Sequence, residues 1–498
     1  LKGPRKMNIY SVNKGIGYAS SGVEYAQKYR KELFETLDVQ DYYIFLNYLS
    51  KNIAVYTDLL GYERKQVIWI YNFLSHRPTQ ATTFTVGQFL EKFEATTYEI
   101  LNQNSTYLEV KVSATQSYKI WLLEEELVDR VDYIVNGHLV SVSHYDQSLN
   151  NVEYYHEGRL AKRTFYNLQG EKSYEQFYSE GEITFTQFEH VILYGKMAFY
   201  QYFFKQLDLQ KEDVVIIDRP LDVLEGLLPA LAGKVRLFSV VHAEHYNESL
   251  SKGAHILWNN NYEYVFGHAE YFEAIIVATA RQQSVLNQQL KKETPIKTIP
   301  VGYINEISRK RTYRPYSLIT ASRLATEKHL DVLIKAVVLA RETLGELTLD
   351  IYGEGGERAK LEQLIKKYDA AGFITLCGHQ DLSSIYPNYS GYVSASTSEG
   401  FGLSLLEALG AGLPLIGVDV DYGNREFIES TKNGLLYERT ALKEMPECLA
   451  EAIISFYSKG LDKKGRMVSK QKAKPYLKAN VAKRWQELLE KREMDDEN

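Results

Sequence analysis

Cysteine is almost missing from this chain: Cys377 and Cys448 are the only two in 498 residues. No short metal-ligand spacing joins them, so a disulfide framework and a zinc site both lack support, and a reducing, cytoplasmic compartment is expected. Long apolar runs are missing too. Stretches such as Val214 to Ile217 and Ala274 to Ala278 fall far short of the roughly 20 residues that a membrane helix requires. Neither a transmembrane span nor a signal peptide is expected, and any membrane contact would be peripheral. Concentrated positive charge is also lacking, because the formal net charge is −6 and the basic residues are dispersed. Nucleic acid is thereby excluded as the main partner, since neutralising its phosphates needs a basic face. No convincing cluster of metal-binding carboxylates occurs either. Asp419-Val420-Asp421 follows an apolar strand into a loop, and the expectation is no metal and no cofactor.

What remains is the composition of an ordinary folded protein, 45% hydrophobic and 24% charged. The length exceeds one ordinary core and suits two domains with material for a third element. Leu1 to Lys6, ahead of Met7, read as a remnant outside the fold.

Asn8 to Ser11 form a strand candidate that runs through Gly15-Ile16-Gly17 and Ser20-Ser21-Gly22 into a helical pattern over Val23 to Leu37. Strand, glycine loop, helix is an order that cradles phosphate, so Gly15, Ile16 and Gly17 are candidate phosphate-binding residues. From about Tyr42 to Phe188 a period of two takes over, as in Val152 to Tyr155, Arg163 to Tyr166 and Tyr174 to Tyr178. Glu157-Gly158, Gln169-Gly170 and Glu180-Gly181 are turn candidates between the runs, and together they predict an antiparallel β-meander. After Phe188 the α/β rhythm resumes, with strands at Val214 to Asp218, Val235 to Val241 and Ala274 to Ala278. The first domain is therefore discontinuous, at 7–41 and 189–304, with the meander inserted at 42–188.

The second half alternates strand and helix from Leu318 to Val418, which predicts a parallel, doubly wound sheet over 305–475. Residues 476–498 are expected to form a helix that crosses back to the first domain. Ligands bind such sheets at the carboxyl ends of the strands, and the loops there hold the informative residues. Glu399-Gly400-Phe401-Gly402-Leu403 opens a helix that contains Glu407. The free amides near Gly402 and Leu403 point at a ligand, and a helix start attracts phosphate. Glu407, about one turn inside, can accept two hydrogen bonds from a ribose diol, and Glu399 can face a sugar. Upstream, Arg323 and Lys328 supply a guanidinium and an ammonium for the charge of a departing diphosphate.

Glu399 with Glu407, eight positions apart, and Arg323 with Lys328, five apart, resemble the E-x7-E and R-x4-K signatures of retaining GT-B glycosyltransferases of the glycogen synthase and sucrose synthase kind. That resemblance implies two Rossmann-like domains facing a cleft. It also implies a diphosphate held by Arg323 and Lys328, a ribose held by Glu407, a sugar near Glu399, and donor contacts from Phe401, Gly402 and Leu403. Gly353-Glu354 matches the family's loop beside the nucleotide, and His379 the position whose backbone contacts the base. The segment Asn13 to Ala26 and the β insertion resemble the GtfA subunits of the accessory secretion system, and also the wall teichoic acid glycosyltransferases of the TarM kind. His242 matches the histidine that both place near the donor sugar. The resemblance implies transfer of N-acetylglucosamine, or glucose, from a UDP-sugar to serine or threonine of a serine-rich repeat adhesin, together with a GtfB-like partner subunit. The alternatives are teichoic acid as acceptor, or a catalytically silent partner subunit.

Overall fold

A computed structural model of the chain describes residues 7–16, 22–93, 97–253 and 255–490. Contacts divide the chain into two compact units. The first comprises Leu1–Glu24, Val39–Val240 and Asn260–Glu273, and the second Tyr25–Asp38, Val241–Asn259 and Ala274–Asn498.

In the first unit, parallel strands run in the order Arg236–Val241, Val214–Ile217, Asn8–Asn13, Gln40–Phe45, Val67–Trp69. Their residues are mostly buried, as in a parallel sheet covered on both faces. The order reverses between Asn8–Asn13, where Ile9 pairs with Val214, and Val214–Ile217. Lys14 and Asp222, on the loops after those two strands, form an ion pair at 2.6 Å.

A ten-stranded antiparallel sheet follows, each strand bonded to its sequence neighbour from Glu99–Gln103 to Ile192–Tyr194. Its turns at Glu157-Gly158 and Glu180-Gly181 hold both residues at positive φ, at 49° and 73° and at 52° and 84°. This is the two-residue hairpin geometry that matches strand twist. Phe89, on the short helix Val86–Leu90, closes one end of the sheet over Leu108, Val110, Ile120, Val128 and Val131. The meander begins later than its sequence texture indicates. Residues 42–74 hold the body of Gln40–Phe45, the strand Val67–Trp69 and two short helices, so they belong to the parallel layer, while the helix Val86–Leu90 packs on the meander. Tyr43 and Trp69 fall inside the span expected for the meander, but both are buried in the parallel layer.

Arg77 joins the two layers. Its buried guanidinium pairs with Asp146 (Nε to Oδ2, 3.1 Å) and donates to the carbonyls of Leu149, Tyr166 and Asn167 at 3.2, 3.2 and 2.8 Å.

The second unit contains a six-stranded parallel sheet in the order Ile374–Gly378, Thr348–Tyr352, Ser317–Ala321, Gly391–Val393, Leu415–Val418, Gly434–Tyr437. Numbered along the chain this is 3-2-1-4-5-6, the doubly wound arrangement. One apolar cluster, including Leu333, Val337, Ile351, Leu449 and Ile453, fills one face. A second, including Ile319, Tyr386, Phe401, Leu409 and Tyr476, fills the other. The C-terminal helix Lys478–Glu490 rests on residues of the helix Gly22–Phe34. Trp485 lies edge-on to Phe34, with centroids 5.4 Å apart, and beneath the Arg30 guanidinium. This packing draws Tyr25–Asp38 into the second unit rather than the first.

Candidate functional site

A doubly wound sheet leaves a crevice where the strand order reverses, because the loops after the two central strands turn to opposite faces. In the second unit those strands are Ser317–Ala321 and Gly391–Val393. Their following loops carry Arg323 and Lys328 on one side and Glu399 on the other. The sequence-predicted cation and carboxylate meet there, with Lys328 Nζ 2.6 Å from Glu399 Oε1, the side chains 22% and 17% exposed. His329, the next residue, sits in the left-handed region (φ 47°), and its Nε2 lies 3.2 Å from Thr397 Oγ1, tying the same two loops again.

Arg323 is placed differently. Its side chain is 62% exposed and pairs with Glu327 at 2.6 Å. An exposed pair of this spacing contributes only about 0.3–0.5 kcal/mol, whereas a guanidinium fork on a diphosphate makes charge-assisted, bidentate bonds. A bound diphosphate would therefore take Arg323 from Glu327.

The helix Leu403–Gly410 starts at the same loop. Gly402 caps it with φ 84°, and the amides of its first turn have no carbonyl of the helix to meet. Ser404 is anchored from below by the Tyr392 hydroxyl at 2.8 Å. One turn along, Glu407 receives two phenols, Tyr29 on Oε1 at 3.3 Å and Tyr386 on Oε2 at 3.2 Å. Burial raises its carboxyl above the ordinary carboxylate range, and the two phenols offset part of that rise. Each carboxylate oxygen retains a lone pair for a further donor, which suits a diol.

His242 follows the strand Arg236–Val241, and its carbonyl is pressed against Gly400 so closely that a Cβ at 400 would run into it. The glycine is needed for this approach of backbone to backbone. Gly353 is at φ 133°, and a Cβ there would collide with the Ser322 carbonyl. Gly353 N donates to Gly378 O at 2.8 Å and Leu324 N to Glu354 O at 2.9 Å, so the loops after three adjacent strands are stitched together. Glu354 itself is exposed and paired with Arg358 at 2.8 Å. His379 is exposed. The Phe401 ring is turned into the core, 4% exposed, against Phe427 and Tyr476. It anchors the helix start, and only its backbone remains for a donor.

Gly15 and Ile16 belong to the first unit, on the loop after Asn8–Asn13, with Ile16 buried. Gly17 lies outside the described residues. A Cβ on Gly15 would make only ordinary contact with Asn47, so no close approach demands that glycine.

Tyr29, Tyr386 and His329 escaped sequence reasoning. Tyr386-Pro387 carries a turn signal, but nothing in the spacing marks a phenol aimed at a carboxylate twenty-one residues away. Asp419 and Asp421 are engaged by Arg425 at 2.7 and 3.1 Å, and Asp421 also by Arg281 at 3.3 Å. Among the described residues no group of three or more His, Cys, Asp or Glu is placed to hold a metal ion.

Residues 305–474 match the family Glycosyl transferases group 1, and residues 100–189 match the GtfA extended beta-sheet domain. The chain is similar to the GtfA subunit of UDP-N-acetylglucosamine–peptide N-acetylglucosaminyltransferase of Streptococcus agalactiae, 39% identical over 97% of this chain and 98% of the relative. It is 39% identical to the corresponding subunit of Streptococcus pneumoniae, over 97% and 99%. Among solved structures it resembles the pneumococcal O-GlcNAc transferase GtfA in complex with UDP and GlcNAc, with a TM-score of 0.90 and 38% identity over 98% of this chain and all of that one. It also shares its fold with TarM, at a TM-score of 0.80 and 16% identity over 98% and 99% of the two chains. The fold is GT-B, and by identity along its length the chain belongs to the family of GtfA subunits of UDP-N-acetylglucosamine–peptide N-acetylglucosaminyltransferase.

Proposed function

We propose that this chain is a retaining glycosyltransferase that moves N-acetylglucosamine from UDP-N-acetylglucosamine to serine or threonine of a serine-rich repeat adhesin, working with a GtfB-like partner subunit. The observation that carries the reading is the meeting of Lys328 and Glu399 at the start of the helix Leu403–Gly410, in a GtfA family member. A crystal structure of a GtfA/B complex exists for a relative 38% identical to this chain, and it supports the partner.

In this mechanism Glu407 takes the ribose diol. Arg323, Lys328 and the amides of Gly402 and Leu403 take the diphosphate. The anomeric carbon's bond to the β-phosphate oxygen breaks, and charge grows on UDP, where those donors are already in place. The acceptor hydroxyl attacks the same face, its oxygen bonds to the anomeric carbon, and its proton passes to the leaving phosphate. Configuration is retained. His242 orients the sugar hydroxyls, and the protein supplies placement rather than a nucleophile.

The proposal assigns the charge of the leaving group to protein cations. A chelator is therefore expected to leave the rate unchanged. The proposed site of action is the cytoplasm; among the described residues no helix is long and apolar enough to cross a membrane.

The test is release of UDP across a panel of UDP-sugars, with and without a serine-rich peptide and a candidate partner subunit. Release from UDP-N-acetylglucosamine, stimulated by the peptide, supports the reading. Preference for UDP-glucose moves the donor. Silence under every condition, with UDP bound, makes the chain a binding subunit.

A further inference from the structure

Three residues beyond His242 the chain buries a second histidine completely. His245 has 0% exposure, and each ring nitrogen has a partner in the second unit. Nε2 lies 2.8 Å from Gln289 Oε1, and Nδ1 lies 3.1 Å from the Tyr422 hydroxyl, with Gln282 Nε2 at 3.5 Å. The Tyr422 ring also stacks on the imidazole, 5.7 Å between centroids and 23° between planes. With a carbonyl oxygen opposite Nε2, the proton sits on Nε2, and Nδ1 accepts from Tyr422. Burial holds the imidazole down to about 4, so it is neutral at physiological pH.

From Tyr422 the chain of contacts runs directly to the candidate site. Tyr422 N donates to Glu399 O at 2.9 Å, Gly423 N to the same oxygen at 2.8 Å, and the two segments form an isolated parallel bridge. On the other side, Gln282 Nε2 donates to Ala243 O at 2.9 Å, and the His242 carbonyl is wedged against Gly400. The short segment 242–245 thus meets the loop that bears Glu399 directly, at the His242 carbonyl against Gly400, and indirectly, from the imidazole through Tyr422. The imidazole also bonds Gln289 and lies against the Tyr246 and Trp258 rings, and its contact with Tyr422 is the one that leads to the Glu399 loop. An apolar residue would fill the same volume without the desolvation cost of a polar ring.

We infer that His245 is a positioning residue for Glu399, acting through the Tyr422 hydroxyl and the Tyr422 backbone. The inference rests on the transferase reading above and deepens it, by naming what holds the carboxylate against Lys328. Free of that grip, the loop can shift by a fraction of an ångström while the nucleotide contacts at Glu407 stay in place.

The test compares Tyr422→Phe, His245→Asn and His245→Gln in the full chain, measuring kcat, KM for the donor sugar and Kd for UDP. Asparagine places an oxygen where Nδ1 was and keeps an acceptor for Tyr422, whereas glutamine reaches toward Gln289 and loses it. Tyr422→Phe and His245→Gln are expected to lower kcat by roughly tenfold to a hundredfold, the scale of small misplacements of reacting groups. UDP affinity should stay within about twofold, and His245→Asn should keep most of the wild-type kcat, because the acceptor for Tyr422 survives. Unchanged turnover in Tyr422→Phe, or equal damage in the asparagine and glutamine variants, would overturn the inference. A wild-type chain that binds UDP but releases none from any UDP-sugar fails the transferase reading instead. The ring-nitrogen shifts of 15N-labelled His245 then decide the contact on their own. An Nε2-protonated ring whose Nδ1 signal moves in Tyr422→Phe supports it, and an unmoved signal overturns it.

Discussion

Lys328 and Glu399 are seventy-one residues apart in sequence and 2.6 Å apart in space, on the two loops that flank the reversal of strand order in the second unit. The ammonium is therefore held by a carboxylate before any substrate arrives. Lys328→Ala should lower kcat by about a hundredfold to a thousandfold, the usual cost of removing one donor to a developing oxyanion. Unfolding free energy should change by no more than about 1 kcal/mol, since both groups keep contact with solvent. Steady-state UDP release and urea denaturation of the same preparation separate the two effects.

Glu407 predicts a pH dependence. Its carboxyl is raised above its ordinary value of 4.5 by burial. A raised group contributes stability that is fully present below the ordinary value and is lost as pH rises through the raised one. Ribose needs the ionised form as a double acceptor, so the affinity for UDP should fall as pH drops toward that raised value. Titrations of UDP from pH 8 down to pH 5 should show the fall in the wild type beyond that of Glu407→Gln, which carries only the titration of the phosphate. Tyr386→Phe removes one phenol and should shift the wild-type curve to higher pH.

Arg323 provides a test of opposite sign. Its guanidinium rests on Glu327, and if the diphosphate takes it in the proposed reaction, Glu327→Gln should leave UDP binding unchanged or tighten it by less than about tenfold. Arg323→Lys should weaken it, because an ammonium lacks the fork. Calorimetric titration of both variants with UDP checks the pair.

In the first unit the sensitive residue is Arg77. Arg77→Met leaves Asp146 buried without its guanidinium and three carbonyls without their donor. A loss of about 3–5 kcal/mol is expected. Adding Asp146→Asn should recover part of it, since a neutral amide costs less to bury. Thermal unfolding of the single and double variants gives the answer.

Much of this architecture was legible before any coordinates. Strand–helix alternation announced the parallel sheet of the second unit, because the helix Leu330–Thr343 and the strands Thr348–Tyr352 and Leu415–Val418 are strongly periodic or wholly apolar runs. The turns at Glu157-Gly158 and Glu180-Gly181 were legible through their glycines. The start of the meander was not. Gln40–Phe45 reads as alternating aromatics, and only its parallel partners Asn8–Asn13 and Val67–Trp69 reveal it as an interior strand. Spacing identified Lys328, Glu399 and Glu407 as candidates, since a signature of charged residues survives in one dimension. It did not reveal that Phe401 faces the core, nor that Tyr29 and Tyr386 reach Glu407, because side-chain direction across distant segments leaves no local trace.

The meander and the parallel layer that flanks it in sequence differ in how far along the chain their partners lie. Every strand from Glu99–Gln103 to Ile192–Tyr194 pairs with its immediate successor, so each hairpin can close as soon as it is synthesised. In the parallel layer the strands Asn8–Asn13, Gln40–Phe45 and Val67–Trp69 come earlier in the chain, but the layer closes later, because Asn8 meets Asp213 across 205 residues. Contacts that are local in sequence form early, and those that close a long loop form late. The inserted sheet is therefore expected to pair before the strands Asn8–Asn13 and Val214–Ile217 meet on either side of it in sequence. The Arg77 clasp, whose arginine precedes the sheet and whose partners lie within it, can close as soon as the chain has reached Asn167.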